Sequence, residues 1–247
     1  MKGIKPNFGA FDQSQYRNRA GTPSHDIEYF NKFHRPLIDK LGQKFGAPLR
    51  VLSIACGYGH ELEFFKDDAR LRITGIDMSK DMIEDDRKRF PGMEFAIVDV
   101  SRKRPPTEAF EGAIGVNAMI YCPDKMGNYA FRSIRPGGLA VINFTDASRE
   151  ENRPYFEACK QRGTIDEKMT LEVKGKKFEL LVMDYTKRED ICKNAGKQMF
   201  FTGRRCIEDF LGIVGFEIVL HGKYVYGTLG YNGILMDVYT LAKPIRA

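Results

Sequence analysis

A doubly wound α/β fold is predicted by three features of the sequence. Between residues 50 and 144 the hydrophobic pattern switches repeatedly from continuous Val/Ile/Leu runs to stretches of helical period, as a parallel sheet covered on both faces requires. The first run, "VLSIACGYG" at 51–59, breaks into two glycines before helical spacing resumes. The last two apolar runs follow one another with no helix between them, so they are expected to pair antiparallel.

The elements follow in chain order. "SHDIEYFNKFHRPLIDKLGQKF" (24–45) reads as an amphipathic helix with Ile27, Phe30, Phe33, Leu37 and Leu41 on one side. "RVLSIA" (50–55), "LRITGID" (71–77), "MEFAIVDV" (93–100), "FEGAIGVNAMI" (110–120) and "GGLAVINF" (137–144) read as strands. "HELEFFKD" (60–67), "SKDMIEDDRKRF" (79–90) and "DKMGNYAFRSI" (124–134) read as helices between them. Ser79 serves as N-cap of the second, and "RPGG" at 135–138 stops the third. The basic run at 87–89 closes the second helix and compensates its dipole. Residues 145–203 break the rhythm. "TLEVKGKKFELLVMDYT" alternates over two runs joined at Lys174-Gly175-Lys176, an antiparallel hairpin to which "AGKQMFFTG" adds a third strand. The tail returns with helix "RRCIEDFLGIV" (204–214) and strands "FEIVLHG" (216–222) and "GILMDVYTLAKP" (233–244), joined by a loop at 222–233.

The expected architecture is therefore a Rossmann-like, seven-stranded doubly wound sheet whose last two strands are antiparallel, with an inserted antiparallel β lid. Four segments follow: an N-terminal helical cap (1–48), an α/β core (49–144), the inserted lid (145–203) and a C-terminal completion of the core (204–247).

Composition narrows the class. With 247 residues, 43% hydrophobic and 29% charged, the chain can bury a sizeable core. No window approaches the roughly 20 apolar residues of a membrane span, and the first residues lack the apolar stretch of a signal peptide, so a cytoplasmic protein is expected. Cys56, Cys122, Cys159, Cys192 and Cys206 are scattered, with no Cys-x-x-Cys pair, which argues against structural zinc and a disulfide framework. The net charge of +6 is uneven: residues 1–50 hold 9 basic against 4 acidic, 51–144 hold 13 against 14, 145–205 hold 14 against 11, and 206–247 hold 3 against 4. A positive rim of this kind favours an anionic ligand, but without a concentrated basic stripe it argues against nucleic acid.

The glycine turn carries the chemistry. A strand ending in Gly57-x-Gly59 lets the backbone approach a ligand and aims N–H groups at it. Asp77 ends the second strand, where a carboxylate accepts both hydroxyls of a ribose. Asp99 ends the third, where it can accept from an exocyclic amine while the N–H of Val100 donates to a ring nitrogen. Together these strand ends describe a pocket for an adenosine with a short tail. The dinucleotide fingerprint would need a third glycine at 62, where Leu62 stands.

With "VLSIACGYG", "ITGIDMS", "FAIVDV", "FEGAIGVNAMIY", "SIRPGGLAVINF" and the closing antiparallel pair in this order, the sequence resembles the class I S-adenosylmethionine-dependent methyltransferases over nearly its whole length. The resemblance implies S-adenosylmethionine as cofactor and S-adenosylhomocysteine as product. It implies that Gly57 and Gly59 pass the methionine portion, Asp77 holds the ribose, and Met78 packs on the adenine face. Asp99 and Val100 then read the adenine edge, Asn117 lies near the reactive end, and Tyr16, Arg17 and Arg19 are candidates to close over the cofactor. Two positions depart from the family: Ser53 stands where an acidic residue is usual, and Ala55 where a glycine is usual. Ser53 can accept a hydrogen bond but supplies no charge.

A methyl sulfonium is already activated, so the protein must mainly align and desolvate a nucleophile, with a base only where a proton must leave. Tyr121, His221 and Asn117 are the candidate catalytic residues; His60 is a weaker one, and each has an ordinary packing role as its alternative. "YVYGTLGYNG" (224–233) reads either as a substrate-lining loop or as a wide turn. The layout resembles that of glycine and amino-sugar N-methyltransferases. The expected activity is methyl transfer to nitrogen or oxygen of a small polar or anionic metabolite, with no metal, no membrane and an oligomer left open. An RNA or protein methyltransferase, or a silent S-adenosylmethionine-binding regulator, are the alternatives.

Overall fold

The computed structural model describes residues 27–184, 197–228 and 231–245. The main sheet contains β1 (Leu49–Ile54), β2 (Leu71–Asp77), β3 (Glu94–Ile97), β4 (Phe110–Gly115), β5 (Ile134–Thr145), β9 (Glu217–Thr228) and β10 (Tyr231–Ala242). A second sheet holds β6 (Ile165–Val173), β7 (Lys176–Asp184) and β8 (Lys197–Phe201). The main sheet runs β3-β2-β1-β4-β5-β10-β9, parallel through β5, with β10 antiparallel to both of its neighbours. The strand order reverses between β1 and β4, where an open α/β sheet forms its ligand crevice.

Alternate residues of β1 enter opposite layers. Leu49 and Val51 join a cluster with Phe30, Leu37 and Leu41, whereas Leu52 and Ile54 join one with Tyr129, Phe144 and Phe210. Helix α1 supplies the first layer; it begins as one turn at Ile27–Tyr29, passes through a π segment at Phe30–His34 and continues over Arg35–Phe45. The extra residue of the π turn shifts the helical phase. Phe30, Phe33, Leu37 and Leu41 are buried as expected, but Ile27 is thrown outward and is 52% exposed. Helix α2 (Lys80–Arg89) starts at Ser79, whose side chain accepts from the Met82 amide at 3.4 Å. Helices α3 (Pro123–Ser133) and α5 (Arg204–Val214) cover the second face.

Several boundaries differ from expectation. Residues 60–64 form a 3-10 turn, not an α-helix, because burying Leu62 and Phe65 at a three-residue spacing suits that tighter winding. The "RPGG" segment lies inside β5 as a bulge: β5 advances from Ile134 to Leu139 while β4 advances only from Phe110 to Gly112. Strands β3 and β4 end at Ile97 and Gly115, short of the apolar runs that suggested them. The expected loop at 222–233 is largely strand, because tyrosines and Val225 alternate along β9 and extend its ladder with β10 to Thr228 and Tyr231.

The inserted sheet has the anticipated hairpin. Lys174 and Gly175 both take positive φ (47° and 81°), the two-residue turn that matches strand twist. Its core face presents Phe178, Leu180 and Phe201 to Phe144 and Phe210, and a helix not anticipated from the sequence, α4 (Arg153–Gln161), covers the other side through Phe156 and Cys159. Among the described residues no helix is long and apolar enough to cross a membrane.

Candidate active site

The chain turns out of β1 through three left-handed residues, Ala55 (φ 53°), Gly57 (φ 58°) and Gly59 (φ 56°). The two glycines serve different purposes. A Cβ on Gly57 would meet nothing within 4 Å, so its backbone faces open space, as a ligand-approaching turn requires. A Cβ on Gly59 would stand 3.0 Å from both Asp86 Oδ1 and Phe90, so this glycine also lets α2 pack closely. Ala55 accepts a conformation that L residues generally avoid.

Asp77 is tied to that turn. The Gly57 amide donates to its Oδ2 at 3.0 Å and the Ser79 amide to its Oδ1 at 2.9 Å. Each carboxylate oxygen keeps a lone pair for a further donor, such as a ribose hydroxyl. Burial raises its pKa, against the amides of Ser79, Gly57 and Met78, which pull it down.

Beside it lies an acid that the sequence reading missed. Glu61 is 5% exposed, and its Oε1 accepts from the Ser53 hydroxyl at 3.0 Å. Burial pushes its pKa up to about 7. Asp86, fully buried on α2, is pushed up to about 8 by burial first and by Glu61 next. The Cys56 thiol donates to Asp86 Oδ2 at 3.8 Å. Three carboxyls thus crowd the glycine turn, and among the described residues the ion pair to any of the three is that of Arg89 with Asp86, at 3.9 Å, Arg89 pairing also with Glu63 at 3.4 Å. Such a cluster of carboxyls is complementary to a cation. The signal available in the sequence was an acid two residues past the second glycine, eight after the serine that stands where an acid was expected.

Asp99 lies two residues beyond β3, rather than at its end, in a turn where its Oδ1 accepts from the Ser101 amide (2.9 Å) and hydroxyl (2.5 Å) while Arg102 pairs with Oδ2 at 3.2 Å. Val100 borders a cleft of about 170 Å³. Arg102, Lys103 and Arg104 line that cleft from the loop, and Lys125, Asn128, Tyr129 and Arg132 line it from one face of α3. Met78 is half-buried after β2.

Two residues beyond β4, Asn117 is also left-handed (φ 55°). Its amide donates to Asn143 Oδ1 at 2.7 Å, and Asn143 Nδ2 donates to its Oδ1 at 3.4 Å, which links the ends of β4 and β5. Tyr121 is met by the inserted sheet: Gln198 Nε2 donates to its hydroxyl at 3.4 Å, and the Met199 amide donates to Ile120 O at 2.6 Å. His221 sits elsewhere. Its Nε2 is 2.6 Å from Asp237 Oδ1, its ring packs 4.9 Å from that of Tyr239, and Arg149 clamps the same carboxylate through Nε at 2.9 Å and through Nη2. This network fastens the base of the insertion to β9 and β10, and none of its described contacts reaches Asn117, Tyr121 or the glycine turn. Tyr16, Arg17, Arg19 and Cys192 lie outside the described residues. Among the described residues no group of three His, Cys, Asp or Glu is arranged to hold a metal.

Residues 51–138 match a family described as a methyltransferase domain. The chain is 29% identical over 130 residues to trans-aconitate 2-methyltransferase of Rhodopseudomonas palustris (strain BisB18), covering 49% of this chain and 50% of that protein. It is 25% identical over 136 residues to phosphoethanolamine N-methyltransferase 1 of Arabidopsis thaliana, covering 52% of this chain and 27% of that protein. The chain therefore spans half or less of these curated relatives. A crystal structure of an S-adenosylmethionine-dependent methyltransferase from Methanosarcina mazei superposes with a TM-score of 0.59 at 18% identity, over 84% of this chain and 98% of that one, which shows a shared fold.

Proposed function

We propose that the protein, whose residues 51–138 match a methyltransferase domain family and whose fold is shared with an S-adenosylmethionine-dependent methyltransferase, transfers a methyl group from S-adenosylmethionine to nitrogen or oxygen of a small anionic metabolite. The observation that carries the cofactor reading is the contact between the Gly57 amide and Asp77 Oδ2, at the strand-order reversal and beside open space at Gly57. Asp77 would take the ribose hydroxyls, Met78 the adenine face, Val100 and Asp99 the adenine edge, and Gly57 the methionine portion. Asp99 would have to share its carboxylate with Ser101 and Arg102. The cofactor supplies the activated methyl group.

The chain's own part in the reaction is alignment and exclusion of water. Asn117, locked to Asn143, would hold the reactive end in place. Tyr121, gripped by β8, would form a wall and hydrogen-bonding partner for the acceptor. Residues 145–203 would act as the substrate-selecting lid, since β8 meets the segment after β4. His221 would hold that lid's base, since its Nε2 and Arg149 meet on the same Asp237 carboxylate.

Preference for an anion is supported by the net positive charge of the segments flanking the core. It is supported too by the named relatives, whose substrates, trans-aconitate and phosphoethanolamine, carry carboxylate or phosphate groups. A cytoplasmic location fits the same reading, and neither a monomer nor an oligomer conflicts with it. The test is S-adenosylhomocysteine production against a panel of polycarboxylates, phosphoamines, amino sugars and bulk tRNA. Turnover with an anionic small acceptor, falling as salt rises, is expected. Turnover with tRNA alone, or with a neutral apolar acceptor regardless of salt, would contradict it.

A further inference from the structure

Position 53 presents a problem for the reading just given, on which this inference rests. S-adenosylmethionine carries an ammonium group on its methionine portion, and β1 offers Ser53 where an acid is usual. Ser53 is fully buried and its hydroxyl points at Glu61 Oε1, 3.0 Å away. Glu61 reaches this place from the 3-10 turn directly after Gly59, one of the two glycines that the resemblance sets along the methionine portion.

The groups around Glu61 have little else for it. Asp77 at the end of β2 acts on it as a like charge. Tyr29 on α1, Cys56 in the turn and Asp86 on α2 all sense its charge in turn. Among the described residues no cation pairs with it. A buried carboxylate without a cationic partner is poorly stabilised, and a ligand ammonium would remedy this.

We propose that Glu61, oriented by the Ser53 hydroxyl, is the acid that receives the cofactor's ammonium group, so that a glutamate beyond the glycine turn replaces the acid absent from β1. Because burial holds the carboxyl up at about 7, binding near neutral pH converts Glu61–COOH and ligand –NH3+ into a carboxylate–ammonium pair and releases a proton to solvent. The buried, low-dielectric surroundings then strengthen the pair.

The test compares two ligands by titration calorimetry at pH 6.5 in phosphate and in Tris. S-adenosylhomocysteine has the ammonium group; 5′-methylthioadenosine has the same adenosine and thioether without it. In the wild type, S-adenosylhomocysteine binding should release a fraction of a proton and methylthioadenosine binding none. Glu61→Gln should weaken S-adenosylhomocysteine at least tenfold, change methylthioadenosine less than twofold, and abolish the proton release. Ser53→Asp placed in the Glu61→Gln background should restore much of the lost affinity, which a merely structural role for Glu61 would not allow. Equal weakening of both ligands, or unchanged S-adenosylhomocysteine affinity, overturns the proposal while leaving the cofactor reading intact. Failure of the wild type to bind either ligand overturns the cofactor reading itself, and this proposal with it.

Discussion

Ala55 holds a left-handed backbone that costs an L residue about 1–2 kcal/mol. Ala55→Gly should therefore raise unfolding stability by about 0.5–1 kcal/mol, the gain being reduced by the greater freedom of glycine in the unfolded chain. Chemical denaturation checks this, and a loss of stability would show that the alanine methyl contributes packing that outweighs the strain. Glu61 and Asp86 predict a pH effect in the ligand-free protein. Both bind protons more tightly folded than unfolded, at about 7 and about 8 against ordinary values of 4.5 and 3.8. The stability they confer is complete below those ordinary values and is lost as pH rises through 7 and 8, at up to about 1.4 kcal/mol per pH unit for each proton. Glu61→Gln should thus gain on the wild type from pH 5 to about pH 7 and level off above it. A constant difference between the two melting curves would contradict the burial argument. At this scale Asp77 was legible in the sequence because a strand end and a glycine turn fix its neighbours. Glu61 was not, because its partners Ser53 and Asp86 come together only when β1, the 3-10 turn and α2 pack.

The inserted sheet behaves as part of the core it covers. Phe201 is 1% exposed and its ring lies 5.1 Å from that of Phe210 and 5.6 Å from that of Phe144, so the insertion shares one cluster with α5 and β5. Phe201→Ala should cost about 3–5 kcal/mol of global stability. A separable lid would instead lose its own structure and leave the main unfolding transition in place, which hydrogen exchange distinguishes. Removing 145–203 outright would expose Phe144 and Phe210, so point substitutions at Gln198 are the better probe of substrate selection. Helix α5 was readable to the residue, since its apolar spacing is uninterrupted and Gly215 ends it. The 224–233 stretch was not: its glycines suggested a turn, while cross-strand pairing with β10 decided for a strand.

Across the whole molecule, alternation of strands and helices was enough to read the sheet, because each apolar run had to be buried between two layers. Charge was less legible. The neutral total of residues 51–144 hid the gathering of Arg102, Lys103, Arg104, Lys125 and Arg132 around one cleft, which only the approach of the 100–105 loop to α3 creates. An adenosine held at the β1–β4 crevice by Asp77 is the centre of the proposed function. The most direct measurement is calorimetric titration of S-adenosylhomocysteine into the wild type and into Asp77→Ala. The wild type should bind one equivalent, and the variant should remain folded but bind more weakly by about 1–3 kcal/mol, because the ribose hydroxyls lose a buried acceptor. Equal affinity in the two proteins, or no binding to the wild type, would contradict it.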